Sequence, residues 1–194
     1  MKNTDVKERI IDATIALIEE NNSSIESITI RNIATKAGVG IGLINYHFQS
    51  KENLINQCVQ KMIGNIIVQF SKTNKNLDME PLQKLRFLVK ANCDVLAKNQ
   101  AISRISMLSD LASCSLNDNT SQTTTAYLHV IRQICKDEKD DNQIYIITHI
   151  MISTIQETFL RNDVLMQKLG IDFFNKEQRD KYLDRIINTI FTVN

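Results

Sequence analysis

Between Ile28 and Leu54 the sequence ITIRNIATKAGVGIGLINYHFQSKENL leaves room for two short helices and one sharp corner, and for little else. Thr29 is a helix-capping residue, and Ile28 just outside the helix has hydrophobic-staple spacing with Ile33 at the fourth helical position. Ile33, Ala34 and Ala37 then give one apolar face, and Gly38 can end the helix in the left-handed conformation. A second helix is expected from about Ile41 to Phe48. Isolated helices shorter than about 12 to 15 residues are marginal in water, so other elements must hold it. Two short helices joined at a glycine-containing turn form a helix-turn-helix, whose second helix lies in the major groove of DNA.

The rest of the chain is expected to be helical as well. Five glycines and one proline in 194 residues supply few breakers, and the apolar residues recur at three and four positions. The expected class is therefore all-α, with an amino-terminal three-helix DNA-binding domain over 1–50 and a helical domain over 51–194. No apolar run of about 18 residues and no signal-peptide layout occurs, which points to a cytoplasmic protein without a membrane partner. Cys58, Cys93, Cys114 and Cys135 are widely spaced without a Cys-x-x-Cys pair, as suits reduced, buried thiols; a redox-sensing thiol is the alternative. There is no His-x-x-x-His, phosphate loop or nucleophile motif, so no enzyme, cofactor or metal is expected. The net charge of +1 does not announce a DNA binder, since phosphate neutralisation needs Lys and Arg. Locally, though, Ser27 to Lys51 holds Arg31, Lys36, Lys51 and His47 and no acid.

Along the chain, a first helix is expected over Asp5 to about Asn22, with Val6, Ile10, Ala13 and Leu17 on one stripe and Ile11, Thr14 and Ile18 beside it, a face that should cover the short helices. Ser50 should cap a long linking helix over about 51–71, and Pro81 should open another running to about Asn99. A shorter helix follows over Ala101 to Leu111. Ala112 to Thr125, rich in Ser, Thr and Asn, reads as a loop, either a connection or a lid. Ala126 to Lys136 returns to helix before a charged turn. Ile144 to Phe159 is apolar around most of its circumference, more than one partner surface can cover. The final helix, about Lys176 to Thr192, carries a stripe of Leu183, Ile186, Ile187, Ile190 and Phe191.

In its first 60 or so residues the chain resembles the TetR family of transcriptional regulators. The residues carrying the resemblance are Thr29, Ile33-Ala34, Ala37-Gly38-Val39, Gly40, Gly42, Leu43-Ile44, Tyr46-His47-Phe48 and Ser50-Lys51-Glu52-Asn53-Leu54. Two positions depart from the family pattern: Gly40 stands where Ser or Thr is commoner, and Asn45 where Tyr is commoner. The resemblance implies a homodimeric repressor on a palindromic operator, released by a small-molecule effector. Thr29, Tyr46, His47 and Lys51 would position the DNA backbone, with Gly40 capping the reading helix. Arg31, Ile41, Gly42, Leu43 and Asn45 would face bases, and the apolar character of this surface favours thymine methyls and DNA shape over a dense hydrogen-bond code. Asn45 can bond adenine or simply solvate its helix. The dimer interface would use Ile147, Met151, Ile155, Leu183, Ile186, Ile187, Ile190 and Phe191, unless these complete a monomer core. Phe87, Asn92, Met107, His129, His149, Met151, Gln156 and Phe159, with Glu157, are candidates for an effector cavity or for ordinary core and surface roles. The rival to this reading is a helical adaptor that binds protein rather than DNA.

Overall fold

The computed structural model describes residues 3–20, 25–73, 78–113, 115–136 and 140–191, and all regular structure among them is helical. Ten helices occur among the described residues: α1 (Asn3–Glu20), α2 (Ile30–Ala37), α3 (Ile41–Phe48), α4 (Lys51–Thr73), α5 (Pro81–Lys98), α6 (Gln100–Ser113), α7 (Asn119–Cys135), α8 (Asp141–Leu160), α9 (Asn162–Leu169) and α10 (Lys176–Phe191). None is long and apolar enough to cross a membrane. The chain divides into two compact units, Met1–Ile66 with Asn99–Cys114, and Ile67–Lys98 with Ser115–Asn194. The start of α4 and all of α6 thus group with the helix-turn-helix, beyond the boundary expected near residue 50.

The first unit is built on side chains that the helical period brings to one side. Ile10, Ile11 and Ile18 of α1, Ile33 and Ala37 of α2, Ile44 and Phe48 of α3, and Leu54, Ile55, Cys58 and Val59 of α4 are all buried. Cys58 donates to the Ile11 carbonyl at 3.7 Å, and burial pushes its thiol up to about 12. From α6, the buried Asp110 accepts a 2.7 Å bond from Gln60 of α4.

In the second unit, Leu85, Leu88, Val89 and Cys93 of α5 are buried, as are Tyr127, Val130 and Ile131 of α7 and Leu183 and Ile187 of α10. Tyr127 donates to the Leu88 carbonyl at 3.3 Å, and burial raises its phenol. Burial likewise pushes the Cys93 thiol up to about 12, and Cys135 is also buried. Low-pKa accessibility, which redox sensing needs, is absent from Cys58 and Cys93. Cys114 lies outside the described residues. Phe159, Phe173 and Phe174 form an edge-to-face cluster with centroids 5.5 to 6.1 Å apart. Two ion-pair groups join α5 to α10: Asp94 with Lys176 and Arg179, and Asp184 with Arg86 and Lys90.

The expected loop over Ala112 to Thr125 is corrected to a short connection, because α6 continues to Ser113 and α7 starts at Asn119. Asp118 caps α7, accepting from the Ser121 amide at 2.7 Å and the Ser115 amide at 2.9 Å. The Thr124 and Thr125 hydroxyls bond back to the Thr120 and Ser121 carbonyls, both at 2.9 Å, which keeps polar residues inside a helix. The short helix α9 ends at Gly170, which takes the left-handed conformation at φ 67°.

Candidate nucleic-acid interface

The interface is assembled from local capping chemistry. Thr29 accepts the Asn32 amide at 3.2 Å, and the staple residues Ile28 and Ile33 are both buried. At the other end of α2, Gly38 adopts φ 63°, ψ 41°, and two bonds close a Schellman turn: Gly38 N–H to Thr35 at 3.2 Å and Val39 N–H to Ala34 at 3.0 Å. A long-range contact braces this corner. Arg9 of α1 donates through Nη2 to the Ala37 carbonyl at 2.8 Å and the Gly38 carbonyl at 3.2 Å. Sequence periodicity gives no signal for this brace, because the partners are backbone atoms 28 and 29 residues away.

Helix α3 begins at Gly40, whose missing side chain leaves the cap without a hydrogen bond. Ile44 and Phe48 anchor one face in the core, and Lys7 of α1 lies 5.7 Å over the Phe48 ring. The other side is open: Ile41 is 41% exposed, Leu43 42% and Tyr46 72%, with Gly42 and Asn45 also exposed. A short helix that keeps two apolar side chains and a tyrosine in solvent is prepared for a partner surface.

Only Gln49 and Ser50 separate α3 from α4. Gln49 takes φ 66°, uncommon for a residue with a Cβ, and its amide bonds to Asn45 at 2.9 Å. Ser50 caps α4 by accepting the Asn53 amide at 3.1 Å. His47 is half-buried, set edge-on to Tyr46 at 5.1 Å between centroids, and its Nε2 is buried without a partner among the described residues.

The cations are not equivalent. Lys36 is held by Glu20 at 2.6 Å, whereas exposed Arg31 and half-buried Lys51 form no ion pair among the described residues. Acids of α1 are partly neutralised from behind, since Lys61 of α4 bonds Glu8 at 2.9 Å and Asp12 at 3.1 Å.

Thr29, Arg31, Gly40 to Leu43, Asn45 to His47 and Lys51 therefore all lie on the helix-turn-helix or the first residue of α4. The residues expected to meet an effector differ in exposure. Phe87, His129 and His149 are exposed, while Met107, Met151 and Phe159 are buried. Asn92 bonds the Tyr127 hydroxyl at 3.4 Å, and Gln156 bonds Thr120 at 2.9 Å. An open groove of about 480 Å³ in the second unit is lined instead by Ile67, Val68, Lys72, Leu116, Gln122 and Thr125, among others.

The staple, the left-handed glycine corner and the half-exposed second helix define a helix-turn-helix DNA-binding domain. Residues 10–58 match the family described as "Bacterial regulatory proteins, tetR family". Over these residues the chain thus carries a DNA-binding domain of the TetR type. It is 29% identical over 96 residues to the HTH-type transcriptional regulator BetI of Pectobacterium atrosepticum, covering 49% of this chain and 48% of that protein. With BetI of Paraburkholderia phytofirmans it shares 24% identity over 86 residues, 44% and 43% of the two chains. The match thus spans somewhat under half the length of these relatives. Among solved structures, a TetR-like regulator from Rhodococcus is similar with a TM-score of 0.57 at 12% identity, over 97% of both chains. FadR of Bacillus subtilis, in complex with stearoyl-CoA, gives 0.55 at 20% identity, over 95% of this chain and 97% of its own. These likenesses extend the fold across the whole chain.

Proposed function

We propose that the protein is a homodimeric transcriptional repressor, cytoplasmic, whose first unit reads a palindromic operator and whose second unit carries the effector and dimer functions. The observation that carries this reading is the division of α3, with Ile44 and Phe48 buried and Ile41, Leu43, Asn45 and Tyr46 presented outward. Arg31 and Lys51 supply positive charge, Tyr46 and His47 supply hydrogen-bonding groups, and Thr29 fixes the start of α2. A two-fold reader places its half-sites about 34 to 36 Å apart for one helical turn of DNA.

The dimer surface is revised from the sequence expectation. Met151, Ile155, Leu183 and Ile187 are buried within the protomer itself, so they do not reach a second copy. Helix α8 is apolar all round because one side fills this core while Tyr145, Ile146 and Ile150, each about half exposed, remain outside. That outer face supports an isologous contact with a second copy, to which half-buried Ile147, Ile186, Ile190 and Phe191 contribute.

An effector coupled to DNA release needs only about 1 to 3 kcal/mol, or 5- to 150-fold in affinity. A long-chain acyl thioester is the first compound to test, since FadR is seen with stearoyl-CoA. The decisive experiment is selection of duplexes from a random library, followed by binding at two salt concentrations with Lys51→Ala and Tyr46→Ala alongside. Saturable binding to a palindrome that weakens with salt and in both variants supports the regulator reading. Equal, weak binding by all three proteins would move the protein-binding adaptor to the front.

A further inference from the structure

Gly38 and Gly42 are both glycines of the helix-turn-helix, but the structure needs only one of them. Gly38 sits at φ +63°, where a side chain is strained. Gly42 has no such backbone: it is the second residue of α3, and a Cβ built on it meets no atom within 4 Å. Neither dihedral angle nor packing in the free protein calls for glycine there. Alanine is the better helix former, and α3 is only eight residues long with no side-chain cap. The residue therefore costs the free protein helix stability without any return inside the fold.

The return lies outside. Helical spacing puts Gly42, Asn45 and Tyr46 on one face as i, i+3 and i+4, and all three are exposed. Where Asn45 and Tyr46 project, Gly42 leaves bare backbone, a notch in the first turn of the helix whose N-terminal residues meet base edges. Glycine is the residue that lets a backbone approach a ligand closely. We propose that Gly42 sets how deeply α3 seats in the major groove, making it a specificity-determining residue through the side chain it lacks. The inference rests on the operator-binding reading above and assigns that site its depth gauge.

The test compares wild type with Gly42→Ala for thermal midpoint, for affinity to the selected duplex, and for affinity to unrelated duplex at low salt. The expected result is a thermal midpoint equal to or above wild type, and a loss of affinity at least tenfold greater for the selected duplex than for unrelated DNA. Unrelated DNA is the control because its binding is carried by phosphates rather than base edges. Equal specific affinity in the two proteins would overturn the inference while leaving the regulator reading intact. A fall in thermal midpoint parallel to the loss of affinity would also overturn it, by showing that the fold needs the glycine. Wild type that selects no duplex would overturn the regulator reading and the inference with it.

Discussion

Replacing Arg9 by alanine removes the only guanidinium seen bonding to the corner between α2 and α3 among the described residues. The two bonds lost, 2.8 Å to the Ala37 carbonyl and 3.2 Å to the Gly38 carbonyl, both end on the negative pole of α2. A charged hydrogen bond contributes about 1.5 to 3 kcal/mol, and since one of these is part-buried and the other exposed, the pair is discounted to about 1.5 to 2 kcal/mol in total. The loss falls on the Schellman turn, so the assay is hydrogen exchange at the Gly38 and Val39 amides, which bond to Thr35 and Ala34. At a factor of ten per 1.4 kcal/mol, their exchange should quicken by about 10- to 30-fold. Arg9→Lys should fall between, because an ammonium is a point charge without the planar fork. A change of less than about twofold in Arg9→Ala would refute the brace, since it would put the contribution below about 0.4 kcal/mol.

Three further outcomes are expected. Ile41→Ala should lower discrimination between selected duplexes carrying thymine and the same duplexes carrying uracil at one position; unchanged discrimination would remove the methyl-contact account of this apolar surface. Ile150→Glu, on the outer face of α8, should give monomers by analytical ultracentrifugation with stability within about 0.5 kcal/mol of wild type, as for an exposed site. The acid limb of stability should depend on Asp94: burial pushes its carboxyl up, but hydrogen bonds from Lys176 and Arg179 outweigh this and hold it below the ordinary 3.8. Its contribution is therefore full above that value and lost as pH falls below it, so Asp94→Asn should flatten the decline measured by urea unfolding as pH falls below 3.8.

Much of the interface was legible because its determinants are local. Thr29, Gly38 and Ser50 act on amides and carbonyls within a few residues, and a capping preference is written in the residue itself. The same locality misled at Ala112 to Thr125, where Ser, Thr and Asn signal a loop unless their hydroxyls can bond one turn back, as Thr124 and Thr125 do. The all-round apolar surface of α8 was visible, but which half would meet the core was not. That choice is made by packing against α7 and α10, which the periodicity of α8 itself does not show, so Met151 and Ile155 face inward and Ile146 and Ile150 outward. Arg9 lay beyond sequence reasoning because its partners are backbone carbonyls 28 and 29 residues away.

The two-residue junction at Gln49 and Ser50 leaves the reading helix almost no slack against the long helix that follows. At 1.5 Å per residue, eight residues of α3 make a lever about 12 Å long, so a twist of about 10° at its α4 end swings the far tip by about 2 Å. Productive recognition geometry tolerates about 0.5 Å. Any torque delivered along the first turns of α4 would therefore switch base contact off well before it unfolded anything. A backbone already held at an unfavourable angle at Gln49 is the natural pivot for that motion.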